Sequence, residues 1–193
     1  MTLGISRART SVWIASANVK QLLVEAPIGT RDRARGRYVP ILDTIQSLCD
    51  RGVSVRLLHA SVPSAPFRDE LVHRAARLSR PSFQMRSCPR VHLKLIAIDG
   101  SFLYLGSANF TGAGLGAKAD GRRNFELGIV TDDEWMLDQA QARFERIWSG
   151  GECGSCRMRR ECPAPLDTPP SARPALRPAP AARRRSKRGS THR

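Results

Sequence analysis

Apolar positions along this chain fall into short blocks whose period alternates between about two and 3.6 residues. SVWIASANV, residues 11–19, reads as a first strand, short and partly β-branched. EAPIGTRDRARGR is polar and basic, and is expected to be an exposed loop. Tyr38, Ile41, Leu42, Ile45, Leu48 and Cys49 then recur at helical spacing, with Gly52 as the stop. VSVRLLHA follows as a second strand, and Phe67, Leu71, Ala75 and Leu78 mark a second amphipathic helix. SFQMRSC, VHLKLIAI, FLYLGSANF and NFELGIV are the remaining strand candidates, with the loop TGAGLGAKADGRR before the last. Thr131 and Glu134 form a capping-box pattern ahead of a closing helix through Trp135, Phe144, Ile147 and Trp148. Strands alternating with helices predict an α/β fold, a mixed β-sheet flanked by helices in a sandwich. No internal repeat stands out.

One of these blocks carries chemistry. VHLKLIAIDG is apolar enough to be covered on both faces, yet His92 and Lys94 sit inside it. An ionised lysine buried without a partner costs several kcal/mol or shifts its pKa, on the order of what core packing supplies per residue. Asp99-Gly100 is a signal for a two-residue hairpin turn, because both central positions favour positive φ. Pairing Ile98 with Ser101 then sets His92 opposite Ser107 and Lys94 opposite Leu105, with Asn109 sharing the Ser107 parity. One face would gather His92, Lys94, Ser107 and Asn109, and Gly106 would leave room for a ligand near the backbone. That set suits a phosphodiester. Lysine and asparagine offer positive charge and an amide donor to phosphoryl oxygens, while histidine attacks phosphorus or moves a proton near neutral pH. Glu126 is the candidate to orient the histidine. His59, His73 and His192 read as solvated or internally satisfied.

His92-x-Lys94-x-x-x-x-Asp99, followed by GSANFT and then NFELG, resembles the motif of the phospholipase D superfamily. The resemblance implies a phosphohistidine formed on His92, with Lys94 and Asn109 stabilising the phosphoryl oxygens and Ser107 and Glu126 supporting the site. Asp99 is expected to be a structural turn residue, since its parity differs from that of His92. No metal or other cofactor is required for such chemistry. The chain holds one motif where larger members carry two, which implies a homodimer with His92 supplied by each subunit.

Charge narrows the substrate. The chain has 193 residues and a formal net charge of +15, which favours polyanionic partners, nucleic acid foremost. Residues 163–193 hold eight Lys or Arg against one acid, hence +7, so the preceding part keeps +8. The expected activity is metal-independent nuclease cleavage of DNA or RNA. Phospholipid hydrolysis or phosphatidyl transfer, or a non-catalytic nucleic-acid-binding module, are the alternatives. No run approaches the roughly 20 apolar residues of a membrane helix, so stable membrane insertion is not expected. Five cysteines, without an export signal, favour a cytoplasmic setting over a disulfide framework. Cys153, Cys156 and Cys162 fall within ten residues. Their spacing resembles the C-terminal triad of the iron-sulfur staple in some DNA-processing nucleases, and zinc suits the same ligands. Cys88 is the expected fourth ligand, with Cys49 the weaker candidate. The expected organisation is a phosphodiesterase domain over 1–150, a cysteine cluster over 151–163 and a disordered basic tail over 164–193.

Overall fold

The computed structural model describes residues 2–26, 29–78 and 81–168. The strands are β1 (Ser11–Ser16), β2 (Leu23–Glu25), β3 (Tyr38–Pro40), β4 (Ser54–His59), β5 (Phe83–Ser87), β6 (Lys94–Ile98), β7 (Phe102–Gly106) and β8 (Gly128–Thr131). The helices are α1 (Thr2–Ser6), α2 (Arg31–Ala34), α3 (Ile41–Asp50), α4 (Ala65–His73), α5 (Ala75–Leu78) and α6 (Glu134–Trp148). Six strands form one mixed sheet in the order β5-β4-β1-β6-β7-β8. β5, β4 and β1 run parallel, and β6, β7 and β8 each run antiparallel to their neighbour.

Both faces of this sheet are covered, as the doubly apolar strands require. Val12, Ile14, Val55, Leu57, Ile96 and Ile98 pack on one side against Ile41, Ile45 and Leu48 of α3 and Phe67 of α4. Ala15, Leu58, Leu95, Ala97 and Leu103 pack on the other against Leu137, Phe144 and Trp148 of α6. Trp13 stacks on Phe144 at 5.0 Å between ring centroids, and Arg56 lies over Trp13 while pairing with Glu145 at 2.7 Å. Helix α6 is therefore fixed to the sheet by rings and charge as well as by aliphatic burial.

Several boundaries differ from the sequence expectation, each for a local reason. Tyr38 belongs to a short ribbon, β2 with β3, and helix α3 starts only at Ile41, after Pro40. The basic loop contains a helical turn, α2, capped by Thr30 Oγ1 accepting from Arg33 N. Helix α6 is capped by Asp133, whose carboxylate accepts from Met136 N at 2.8 Å, while Thr131 Oγ1 accepts from Asp133 N. The cap thus lies two residues beyond Thr131, and with Met136 at the third helical position it is a single side-chain cap and not a capping box. Residues 164–168 are placed against the domain, with Leu166 buried in the α6-side core, so order runs past the expected start of the tail. The rest of the expected tail, 169–193, lies outside the described residues.

The β6–β7 hairpin carries the most consequential difference. Asp99 and Gly100 both adopt positive φ, 53° and 64°, and Ser101 N–H closes the turn on Ile98 C=O at 3.0 Å. The ladder nevertheless resumes with Ile98 opposite Phe102, not Ser101. Ser101 is an extra residue at the turn, a bulge that shifts the whole register by one.

Candidate active site

Pairing across the sheet sets Ser87 of β5 beside His59 of β4, His59 beside Ser16 of β1, and Ser16 beside Lys94 of β6. Polar side chains thus line one edge where the apolar strands end. His92 and Leu93 precede the strand proper and form part of the link from β5. Loop backbone lets His92 stay exposed while Lys94, half-buried, begins the core strand. Lys94 Nζ lies 3.2 Å from His92 Nδ1, 3.1 Å from Nε2 and 2.9 Å from the His92 carbonyl oxygen. Among the described residues this side chain pairs with no carboxylate, so its positive charge stays available to an arriving anion.

Ser107 donates to Glu126 at 2.5 Å and accepts from Leu127 N at 3.0 Å, and Asn124 Nδ2 donates to the other Glu126 oxygen at 3.0 Å. The Ser107 bond foremost, then Asn124 and the nearby Lys94 charge, hold the Glu126 carboxyl below its ordinary range. Among the described residues Glu126 makes no hydrogen bond to His92, so its expected role as the histidine's orienter is not realised here. The shifted register also removes the parity by which Ser107 was expected to face His92. β7 stops at Gly106, and Ser107 is held instead by its own N–H on Leu127 C=O at 2.9 Å. Gly106 leaves no space for a ligand. A Cβ there would come within 2.5 Å of the Tyr104 hydroxyl and 2.7 Å of the Leu127 carbonyl, so the glycine serves strand packing.

Asn109 is held from β1. Its Oδ1 accepts from Asn18 N at 3.1 Å and lies 3.3 Å from the buried Ser16 Oγ, which donates to Asn18 O at 2.6 Å and accepts from Phe110 N at 2.8 Å. Asn18 Oδ1 in turn accepts from Ser61 Oγ at 2.6 Å. With both amide oxygens occupied, Asn18 and Asn109 present their NH2 ends as donors. Sequence reasoning missed Ser16 and Asn18, although a signal existed. Ser16-Ala17-Asn18 recurs as Ser107-Ala108-Asn109, and a parallel bridge joins the residues that follow, Val19 and Phe110. The expectation of no internal repeat overlooked this tripeptide. His59 is satisfied, Nδ1 lying 2.9 Å from Ser61 O, and burial depresses its pKa. A polar cleft of about 530 Å³ opens beside Asn109 and Asn18, walled by Lys20, Lys118 and Thr111.

Asp99 lies at the far end of β6. Its carboxylate accepts from Arg9 N and Thr10 N at 2.8 Å, and from Thr10 Oγ1 and Ser11 N at 2.9 Å. Partial burial opposes its charge, but these donors outweigh that effect and hold the carboxyl below its usual range.

Residues 4–148 match the family described as "Cardiolipin synthase, PLD-like domain". The chain belongs to this phospholipase D-like family. No curated protein matches it. NucT from Helicobacter pylori is 22% identical, with a TM-score of 0.46 over 75% of this chain and 82% of that one. The phospholipase D family member Nuc from Salmonella typhimurium is 18% identical, with a TM-score of 0.49 over 77% and 84%. TrmBL2, an archaeal chromatin protein, is 13% identical, with a TM-score of 0.46 over 77% and 47%. Among the described residues no helix of this phospholipase D-like chain is long and apolar enough to cross a membrane.

The family match ends at Trp148, so Cys153, Cys156 and Cys162 fall outside it. These three and Cys88 nevertheless line one small cavity on the α6 side, whereas Cys49 is buried beneath α3 on the other face of the sheet. Burial first, then the other thiols' charge against the backbone bond from Arg90, pushes the Cys88 thiol up. Arg90 beside Cys156 draws that thiol down. All four are free thiols, and among the described residues no three His, Cys, Asp or Glu side chains stand ready-made to hold a metal ion.

Proposed function

We propose that this chain is a metal-independent nuclease of the phospholipase D type. In this reading a ring nitrogen of His92 attacks phosphorus, the N–P bond forms, and the P–O bond to the leaving nucleotide breaks. The leaving oxygen takes a proton from His92 of the partner subunit. Water then attacks phosphorus, returning a proton to that imidazole, and the N–P bond breaks to release a phosphomonoester end and regenerate His92. Lys94 and the Asn109 amide stabilise charge that grows on the non-bridging oxygens, which is where fixed donors contribute most. Ser107 and Asn124 keep Glu126 ionised beside this positive centre.

The observation that favours nucleic acid over phospholipid is the cleft meeting the site at Asn109. Lys20 and Lys118 line it, with amide and hydroxyl groups of Asn18, Gln21, Asn109 and Thr111 beside them, a lining suited to a phosphate backbone. A chain charge of +15 points the same way, since phosphate contacts dominate nucleic-acid affinity. The family's cardiolipin synthase members favour a second reading, phosphatidyl transfer, and make the comparison of substrates obligatory. A homodimer is part of the proposal. The exposed apolar side chains of Phe125 and Leu127 flank Glu126 in sequence, so a second copy covering them would bring its own residues to this edge of the sheet.

The test is cleavage of single- and double-stranded DNA and RNA in EDTA, beside phosphatidylglycerol and cardiolipin vesicles. Nucleic-acid cleavage trapped as an acid-labile phosphohistidine on His92 is the expected result. Turnover of the lipids alone would replace the nuclease reading with the transferase one. Sedimentation showing an active monomer at assay concentration would remove the shared-site dimer.

A further inference from the structure

Residues 149–168 form neither helix nor strand, yet they occupy a defined place against α6 and the loop after β5. Little apolar burial explains that order. Leu166 is the segment's one side chain fully inside the core, with Cys153 packed partly against it. Polar ties supply some anchorage. Arg86 donates to the Trp148 and Leu166 carbonyls, Arg159 pairs with Asp167 at 3.1 Å, and Glu152 pairs with Arg146 and Arg143 at 2.7 and 2.9 Å. Surface pairs of this kind contribute little each. Irregular segments with so small a core are ordinarily stapled by disulfides or metal.

Four thiols line one cavity here, although no three of them stand at metal-binding distance as placed. Cys88 arrives from the sheet, its N–H bonded to His59 C=O at 2.8 Å, and shares a cavity with Cys153, Cys156 and Cys162. Cys156 N–H bonds back to Cys153 C=O at 3.2 Å, a tight turn that keeps the two cysteines of this Cys-x-x-Cys pair on neighbouring backbone. The walls also carry Arg90 and Arg159, cations suited to offset the negative charge of a tetrathiolate. Nothing in packing requires four thiols around one hole, and Cys49 shows where a packing cysteine of this chain resides.

We propose that Cys88, Cys153, Cys156 and Cys162 close as thiolates on one thiophilic metal centre, zinc or an iron-sulfur cluster. Closure draws the four thiols inward from their present positions around the cavity and releases their protons. Four thiolates complete a tetrahedral set, so the centre is structural and offers no open position to a substrate. It ties the chain beyond α6 to the short link between β5 and β6, and His92 stands four residues after Cys88 on that link. The centre thereby positions His92 without touching substrate, and its existence does not depend on the phosphodiesterase reading.

The test uses the full chain, purified anaerobically without chelator, with elemental analysis, absorbance and thermal melting. The expected result is about one zinc per chain, or brown protein carrying iron and acid-labile sulfide, in line with the chemistry of such sites. Cys88→Ser and Cys156→Ser should lose the metal and melt at lower temperature, while Cys49→Ser keeps it. Metal-free folded protein, a Cys153–Cys156 disulfide in the anaerobic protein, or metal retained at full occupancy in Cys88→Ser would each overturn the proposal. If Cys88→Ser does not accumulate folded, wild-type protein stripped by chelator and titrated with zinc decides the matter. Uptake of about one equivalent with a raised melting temperature supports the site, and no uptake refutes it.

Discussion

The two ends of β6 hold opposite kinds of polar group. At the Asp99 end, the carboxylate receives three backbone N–H groups and a hydroxyl, all between 2.8 and 2.9 Å. Its hydrogen-bonding capacity is consumed by the fold. At the Lys94 end, the ammonium rests on the His92 ring and carbonyl with no carboxylate bonded to it, and His92 is exposed. Five strand residues separate these regions, a distance of roughly 16 Å at the usual rise per residue. A carboxylate saturated by backbone donors maintains structure, whereas an exposed imidazole beside an ammonium that meets no carboxylate among the described residues is open to an anionic ligand. Spacing within a motif therefore does not make its members one site.

Substitution should separate the two ends. His92→Ala and Lys94→Ala are expected to reduce phosphodiester cleavage by at least about a hundredfold, the scale of a lost general acid-base or electrostatic contribution. Melting temperatures should stay near wild type, because both groups lie at the end of the strand and not within its apolar run. Retention of most activity in His92→Ala would break the contrast at its functional end.

Asp99→Ala should do the reverse, lowering stability by about 1–3 kcal/mol while the folded fraction keeps its turnover. The cost has two sources: three orphaned N–H donors, and a positive φ that aspartate tolerates better than alanine. The pH dependence follows from the depressed folded-state pKa. Asp99 stabilises the fold above the unfolded-state value of about 3.9, and that contribution is lost as pH falls through the lower folded value. The stability gap between wild type and Asp99→Asn should therefore narrow in acid. A gap constant from pH 7 to 3 would show that the carboxylate charge is not involved.

Much of this contrast was legible in the sequence, and the rest was hidden for identifiable reasons. Alternation of apolar strands and helices yields the mixed sheet, and the two polar intruders in VHLKLIAIDG fall at the sheet edge where Ser16, His59 and Ser87 also lie. Asp-Gly correctly places a positive-φ turn, yet a turn dipeptide does not reveal a bulge one residue later. Ser101 therefore shifted every facing pair inferred from the hairpin. Glu126 precedes β8, and no periodicity describes a loop, so its partnership with Ser107 was accessible only in three dimensions. Ser16 and Asn18 were concealed differently. Their role depends on β1 lying beside β6, a contact some eighty residues away in sequence that only topology supplies.

Ser16→Ala sharpens the functional end without touching its chemistry. The hydroxyl is buried, accepts from Phe110 N and donates its one proton to Asn18 O at 2.6 Å, with Asn109 Oδ1 alongside at 3.3 Å. Its removal leaves the Phe110 donor unpaired and frees the Asn18 backbone that holds Asn109. A loss of about 1–2 kcal/mol in stability is expected, the ordinary cost of an unsatisfied buried group. Turnover should fall roughly tenfold as Asn109 loses a fixed orientation, with Asn109→Ala in the same background adding little more; a double-mutant cycle measures that coupling. Fully additive effects would mean that Ser16 does not act through Asn109.

The smallest expected effect belongs to Ser107→Ala, and it is read best in a pH profile. Ser107 donates to Glu126 and accepts from Leu127 N in an exposed setting, where water can replace both bonds. Stability should therefore change by less than about 1 kcal/mol. The hydroxyl is the foremost cause of the lowered Glu126 pKa, ahead of Asn124 and Lys94. Its removal must let that pKa rise toward the ordinary carboxylate range. If cleavage requires ionised Glu126 beside Lys94, activity near pH 7 should fall only a few-fold, on the order of one lost hydrogen bond to a charge. The acid limb of the pH–rate profile should instead move to higher pH, because Glu126 now takes a proton sooner as pH drops. Glu126→Gln, which has no such proton to take, should lower the plateau and abolish that limb. An acid limb unmoved in Ser107→Ala would assign it to another group and remove Glu126 from the cleavage step.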